Sequence, residues 1–330
     1  MATRTAPVAA GASASEAGPQ EIPVLVRQLR WEAAGVVSVV LARPGGGALP
    51  AWSPGAHVEL VLPTGIVRQY SLCGAPDDPS SYRVAVRRDP ASRGGSEYVH
   101  SFLRPGQSLR IRGPRNHFRF EPADSYLFLA GGIGITPILP MVRQAAASGA
   151  RWRLAYGGRS AAAMAFRDEL APHTDAVRLY PGDESGRMPL DALLEKAPAG
   201  TAVYACGPEP LLADVANGAA HLPQGTVHME RFRPRERKPA RNSAVEVVCA
   251  RSGRTVDVPA ERSVLDALAD AGLPVAGSCR QGVCGTCETR VLDGVPDHRD
   301  DILSEEERER GDRMYLCVSR ARTPRLVLDV

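Results

Sequence analysis

Cys279-Arg280-Gln281-Gly282-Val283-Cys284-Gly285-Thr286-Cys287, with Cys317 following after 29 further residues, decides how this 330-residue chain is read. The spacing C-x4-C-x2-C…C is the ligand set of a plant-type [2Fe–2S] cluster. Three thiolates within nine residues can wrap one cluster only if the backbone turns tightly. Gly282 and Gly285 give it that freedom, and backbone N–H groups in such a loop can donate to sulfur. The fourth thiolate must come from elsewhere in the fold, as Cys317 does. Zinc sites usually pair two C-x2-C knuckles or add His, whereas here there is one such knuckle and no His beside it. A disulfide framework suits a secreted chain, and no signal-peptide pattern is present. A one-electron centre makes electron transfer the leading theme.

The length allows two or three domains. Seven cysteines cannot all pair internally. With four assigned to the cluster, Cys73, Cys206 and Cys249 remain as free thiols, which fits a reducing cytoplasm. A net charge of +3 is too small to argue for nucleic acid. Its distribution says more: from Ala244 to Val330 there are 12 Arg against 16 Asp and Glu, a net of −4, which leaves +7 on the remainder. An acidic tail domain on a basic body suggests electrostatic docking, internal or to a partner. No segment reads as transmembrane. The long uncharged stretch Ser125 to Val142 is broken by Gly131, Gly132, Gly134, Pro137 and Pro140, and reads as a buried strand running into a turn and helix. Residues 1–20 are rich in Ala, Gly, Ser and Thr without an apolar core, and are expected to be a disordered tail rather than a targeting signal.

Residues 21–122 read as short strands between Gly/Pro turns, such as Val36–Leu41, His57–Leu62, Tyr82–Arg87 and Ser108–Arg112. That rhythm predicts a small antiparallel barrel. Residues 123–232 alternate apolar strands (Tyr126–Ala130, Trp152–Tyr156, Ala202–Ala205) with helical stretches, the pattern of an open parallel sheet. Residues 233–243 are charged and Pro-containing, hence a linker. Residues 244–330 open with two strands and a helix begun by Ser263 as N-cap. The run from Ser304 through four Glu and two Arg predicts a solvated helix with a Ser cap and an acidic first turn.

Three barrel segments carry the chemistry of an anionic aromatic cofactor. In Arg68-Gln-Tyr70-Ser71, Tyr70 offers a face, Ser71 a small hydrogen-bonding group and Arg68 a cation. Arg93-Gly94-Gly95-Ser96 leads into a helix and presents backbone N–H groups to an anion; a simple surface turn is the plain alternative. Gly113-Pro-Arg115-Asn116-His117-Phe118 closes the region. Together they resemble the flavin domain of the ferredoxin–NADP reductase superfamily. The Pro-Arg-Asn-x-Phe form is similar to its FMN-binding branch, typified by phthalate dioxygenase reductase and the vanillate O-demethylase reductase family. The resemblance implies a multidomain chain: an antiparallel β-barrel flavin domain, an α/β open parallel-sheet nicotinamide domain and an α+β β-grasp ferredoxin domain. It also implies FMN as the flavin, with Arg68, Tyr70 and Ser71 lining it, Arg93, Gly94, Gly95 and Ser96 holding its phosphate, and Asn116 beside it.

Leu129-Ala-Gly131-Gly132-Ile-Gly134-Ile-Thr136-Pro137 falls where the first strand of the α/β region meets its first helix. Glycines let a backbone approach a pyrophosphate, and a helix N-terminus favours its charge; tight strand–helix packing is the alternative. It is not the G-x-G-x-x-G fingerprint. Tyr156-Gly-Gly-Arg159-Ser160 and Tyr204-Ala-Cys206-Gly207-Pro208 end two further strands, where open α/β sheets place ligands, and Glu230-Arg231-Phe232 closes the domain. These resemble the superfamily's nicotinamide half in order. The resemblance places Thr136 near the flavin and Cys206, Gly207 and Pro208 near the nicotinamide, with Phe232 covering the flavin face until the nicotinamide displaces it. Arg159 could grip a 2′-phosphate, while Asp183 and Glu184 would repel one; the resembled family points to NADH, with NADPH open.

His57, His173, His221 and His228 lack partners at ligand spacing and are expected in surface or core roles, with His117 a local structural residue. Nicotinamide gives hydride, a [2Fe–2S] cluster takes one electron, and a flavin can do both, so it must stand between them. The expected path is NADH to FMN to the cluster on Cys279, Cys284, Cys287 and Cys317, and then to an external terminal oxygenase of Rieske type acting on a small aromatic or similar substrate. The expected protein is a cytoplasmic monomer that binds neither nucleic acid nor membrane. A reductase for a haem or diiron monooxygenase is the first alternative; a non-enzymatic, ferredoxin-like carrier is the second.

Overall fold

A computed structural model describes residues 20–237, 241–273 and 275–330. The expected tail therefore lies outside the described residues up to residue 19, as do residues 238–240 of the linker.

The first sheet holds β1 (Glu21–Ala33), β2 (Val36–Ala42), β3 (Ala56–Val61), β4 (Val67–Ser71), β5 (Ser81–Arg87) and, after the short helix α1 (Gly95–Ser101), β6 (Ser108–Asn116). Its order is β4-β3-β6-β1-β2-β5, with every pair antiparallel. The outer strands meet just beyond β4, where Leu72 bridges Val84 and Cys73 N–H donates to the Arg83 carbonyl at 2.8 Å. The sheet thus closes on itself as a barrel, which leaves no long edge to pair with other chains. Alternation fills the inside: Val24, Val26, Val39, Leu41, Leu60, Val84 and Ile111 are all fully buried. Strand β3 is buried along both faces. Its period of two turns Val58 and Leu60 into the barrel core and sets His57 and Glu59 together on the opposite face.

The second sheet is wholly parallel. Its strands are β7 (Ser125–Gly131), β8 (Arg151–Gly158), β9 (Val177–Pro181), β10 (Thr201–Cys206) and β11 (Val227–Glu230), in the order β11-β10-β7-β8-β9. Helices α2 (Ile135–Ala147), α3 (Arg167–Leu170), α4 (Leu190–Glu195) and α5 (Glu209–Gly218) cross between them. Leu127, Leu129, Val203 and Ala205 pack against α4 and α5. The alternate residues Phe128, Ala130, Tyr204 and Cys206 pack with α2. That second core continues into the barrel through Ala33, Val36, Cys73 and Ala85. Glu169 reinforces the seam by pairing with Arg83 and Arg143. Strand order reverses between β7 and β10, and that crevice is where such sheets take their ligands.

The third unit is a mixed sheet of order β13-β12-β18-β14-β16. Its elements are β12 (Val245–Cys249), β13 (Arg254–Val258), α6 (Val264–Asp270), β14 (Glu288–Asp293), β15 (Pro296–Asp297), α7 (Glu305–Arg310), β16 (Arg313–Tyr315), β17 (Arg320–Ala321) and β18 (Arg325–Leu328). Here β12 and β18 run parallel while the other sheet partners run antiparallel. Helix α6 buries Val264, Leu265 and Leu268 against Val247, Leu326 and Leu328, giving a β-grasp. Its N-terminus is capped by Ser263, which accepts from Asp266 N–H at 3.0 Å. Ser304 and Glu307 form a reciprocal capping box on α7, which satisfies two N–H groups the helix leaves open. The linker starts against both neighbours: Arg233 pairs with Asp89 of the barrel, and Arg235 and Arg237 pair with the fully buried Asp301 carboxylate.

Candidate functional site

The loop between α6 and β14 brings the four thiols together. Cys279 is in hydrogen-bonding contact with both Cys284 and Cys317, and Cys287 with Cys317. The tight turns rest on left-handed backbone at Gly282 (φ +70) and Gly285 (φ +75). At Gly282 a side chain would fall 2.7 Å from the Val318 methyl and 3.0 Å from Asp300 Cα. Gln281 N–H points at Cys279 Sγ, 3.3 Å away. The Cys279 contact and then burial push the Cys284 thiol above its usual range. Cys317 is drawn down by its Cys279 contact but, with the Cys287 contact and burial outweighing it, stands at about 12. Four thiols so crowded favour thiolates only when cationic iron compensates them. Among the described residues no three of His, Cys, Asp or Glu converge on a single-ion position; a two-iron cluster instead asks each iron for two thiolates. The quartet fits that group.

A cavity of about 480 Å³ opens where the three units meet, within the usual size of cofactor sites. The barrel supplies His57, Arg68, Gln69, Tyr70, Ser71 and Arg93; the parallel sheet supplies Glu230, Arg231 and Phe232; the cluster loop supplies Ser278, Cys279, Arg280 and Cys284. Arg68, Arg93, Arg231 and Arg280 make it electropositive, which suits a phosphate-bearing ring. Arg68 donates to the carbonyls of Val67 (2.8 Å) and Arg93 (2.9 Å). It lies across Gly95, where a Cβ would stand 2.6 Å from Arg68 Cγ; this is a physical reason for glycine there. Burial holds the Tyr70 hydroxyl protonated, its pKa pushed up to about 12 against the opposing pull of Arg68. Phe232 is 40% exposed, so it can leave its place without opening a core. These features fit FMN.

Other expected residues stand further back. Gly94 and Ser96 lie at the start of α1, where Ser96 Oγ accepts from Asp89 N–H at 3.1 Å. Asn116 does not line the cavity: its amide donates to Ser53 Oγ and the Pro54 carbonyl, each at 2.9 Å, and accepts from Phe118 N–H. It therefore braces the loop before β3. Thr136 is buried, with its hydroxyl on the Ile133 carbonyl at 2.9 Å. Burial pushes the Cys206 thiol well up, so it is a neutral thiol behind the cavity, paired in register with Glu230.

At the crevice between β7 and β10, the glycines serve close packing. A Cβ on Gly134 would fall 2.2 Å from the Cys206 carbonyl oxygen, and one on Gly207 3.0 Å from Gly131 Cα. On Gly131 it would meet Pro208 Cδ at 2.6 Å. Gly132 differs: it has open space and φ +55, leaving its backbone approachable. Arg159 and Ser160 follow the end of β8, and Gly182 N–H bonds the Gly158 carbonyl at 2.8 Å, so exposed Arg159, Asp183 and Glu184 lie near one another beyond the ends of β8 and β9.

Three residues of the site had been given no role in it from the sequence. Glu230 is only partly exposed as a residue, and its Oε2 has neither solvent nor partner; desolvation raises its pKa to about 8 despite a hydrogen bond from Ser71. His57, expected in a surface or core role, lines the cavity with Nε2 unpartnered; burial chiefly lowers it to about 4, so it is neutral. Glu59, 0% exposed, accepts from Thr286 Oγ1 of the cluster loop at 2.5 Å. His117 also faces the ferredoxin unit, with its ring edge-on to Tyr315 at 6.4 Å.

A flavin barrel, a nicotinamide-type sheet and a ferredoxin unit around one cavity define an electron-transferring oxidoreductase. Comparison with known proteins agrees. Residues 128–217 match the oxidoreductase NAD-binding domain family and residues 247–322 the 2Fe-2S iron-sulfur cluster binding domain family. The chain is 42% identical to phenoxybenzoate dioxygenase subunit beta of Ectopseudomonas oleovorans, over 94% of this chain and 97% of that one. The solved structure of phthalate dioxygenase reductase superposes with a TM-score of 0.69 at 36% identity, covering 94% of this chain and 98% of that one. An intact type IV self-sufficient cytochrome P450 monooxygenase aligns at 43% identity and a TM-score of 0.89, although the chain spans only 41% of its length. The chain belongs to the phthalate dioxygenase reductase family. It is a flavin- and [2Fe–2S]-dependent reductase that draws on a nicotinamide.

Proposed function

We propose that the chain is the NADH-dependent reductase component that supplies single electrons to the terminal Rieske oxygenase of a system acting on a small aromatic or similar substrate. The observation that carries the reading is the shared cavity: the cluster ligands Cys279 and Cys284 form part of the same wall as Arg68, Tyr70, Ser71 and Phe232. The bound flavin supplies the exchange of one hydride for two single electrons, which no amino-acid side chain here provides. The protein supplies position and charge. Arg68 and Arg93 hold the phosphate, and Tyr70 offers its face to the ring. Ser71 donates its one proton to the Glu230 carboxyl and turns its oxygen lone pairs outward, and Glu230 holds a carboxyl proton beside it. Phe232 covers the cavity until the nicotinamide ring takes its place, and the dry walls keep water from the reacting atoms. Asp183 and Glu184 beside Arg159 support NADH over NADPH, since a 2′-phosphate there would face two carboxylates.

Anaerobic titration of the loaded protein with NADH, read by visible spectra, tests the path. Flavin bleaching followed by loss of cluster absorbance supports it, and a protein that purifies without flavin refutes it. A second reading, a cytochrome P450 as acceptor, is favoured by the 43% identity to the fused P450 monooxygenase. Presenting the reduced protein to a Rieske oxygenase and to a ferric P450 separates the two, because only the true acceptor is reduced at a rate that saturates.

A further inference from the structure

We propose that Glu59, a barrel residue, sets the reduction potential of the cluster by withdrawing a proton from its neighbourhood. The inference rests on the quartet holding a [2Fe–2S] cluster and adds a positioning role to that site. Thr286 Oγ1 lies between two acceptors: Glu59 Oε1 at 2.5 Å and Cys284 Sγ at 3.3 Å. A threonine hydroxyl has one proton to give. A carboxylate oxygen at 2.5 Å is the stronger acceptor, so the hydroxyl donates to Glu59 and turns a lone pair toward the sulfur. Glu59 is 0% exposed, its Oε2 has no hydrogen-bond partner, and its nearest cations stand off, Arg115 at 3.5 Å and Arg112 at 3.7 Å. Thr286 is thus the hydroxyl on which this buried carboxylate depends. Hydrogen bonds to cluster sulfurs stabilise the reduced, more negative state and raise the potential. Docked on the barrel, the cluster lacks this one and is held at a lower potential.

Glu59 and Thr286 belong to different units, 227 positions apart, so the potential is tied to docking. When the ferredoxin unit separates from the barrel, the Thr286 proton returns to Cys284 Sγ and the potential rises. An electron is then accepted from the flavin in the docked state and held more tightly in transit.

Spectroelectrochemical titration of the loaded full-length protein tests this. Glu59→Ala should raise the reduced-to-oxidised ratio of the cluster at a fixed poise about tenfold, equivalent to 59 mV for a one-electron couple. Thr286→Val alone should leave the ratio close to wild type. Glu59→Ala with Thr286→Val should cancel the rise, and Glu59→Ala with Thr286→Ser should keep it. A rise that survives in the Thr286→Val background would mean that Glu59 acts only through its charge, and would overturn the proposal. If Glu59→Ala does not retain its cluster, Thr286→Val still decides: a fall in its ratio would show that the hydroxyl already donates to sulfur, and would refute the assignment. Absence of a cluster from the wild-type protein would instead refute the site itself.

Discussion

Replacing Glu230 by Gln should remove one source of pH dependence from the stability. The Glu230 carboxyl keeps its proton to about pH 8 because desolvation outweighs the Ser71 hydrogen bond, whereas an exposed glutamate releases it near 4.5. Between those values the folded protein binds the extra proton, so stability falls as pH rises through the window and levels off above it. The difference corresponds to roughly 4–5 kcal/mol between pH 4.5 and 8. Glutamine has nearly the same shape as the protonated acid and no proton to lose. The stability advantage of Glu230→Gln over the wild type should therefore widen by several kcal/mol from pH 5 to pH 8 and then stay constant. Urea unfolding of both proteins in loaded form, followed by flavin release at fixed ionic strength, measures that gap. Two curves that run parallel from pH 5 to pH 8 would show that Glu230 is ionised in the fold, and would refute its role as a held proton beside the flavin.

Arg68→Ala removes two charge-assisted hydrogen bonds, to Val67 and Arg93, and should weaken flavin retention by about 10–100-fold, measured by fluorescence on dilution; Arg68→Lys, which cannot span both carbonyls, should recover only part, and full recovery would show that charge alone matters. Gly285→Ala would place a Cβ 2.0 Å from His117 Nε2 at φ +75, displacing the His117 ring and loosening the contact of the ferredoxin unit with the barrel. NADH-driven ferricyanide reduction should persist while cluster reduction slows, and His117→Ala in the same chain should restore part of the rate; unaltered cluster reduction in Gly285→Ala would show that this contact does not hold the units together.

The gathering of Cys279, Cys284, Cys287 and Cys317 was legible because three of them lie in one loop whose spacing is itself the geometry. The barrel and parallel sheet were legible through periodicity: β6 alternates around Leu109 and Ile111, and β7 carries an unbroken apolar run. The helix caps at Ser263 and Ser304 followed from local chemistry. What could not be read was juxtaposition. Glu59 has meaning only beside Thr286, and His57 only where the cluster loop covers the outer face of β3. Asn116 shared a motif with flavin-type segments, yet its amide is drawn to Ser53 and Pro54. Gly131 and Gly134 were read for their approach to a pyrophosphate, with tight packing as the alternative; the close approach of the Pro208 ring and of the Cys206 carbonyl is what first requires them. For Glu230 a signal existed, a carboxylate ending an apolar parallel strand between Met229 and Arg231.

Arg233, Arg235 and Arg237 anchor the start of the linker to the barrel on one side and to Asp301 on the other. Because flavin and cluster thereby travel on one leash, their encounter is intramolecular, at an effective concentration on the order of millimolar however dilute the protein becomes. Dilution would then slow delivery to the acceptor and leave the internal step untouched. The reductase can hold a charged cluster in readiness and meet a scarce partner without losing its own supply.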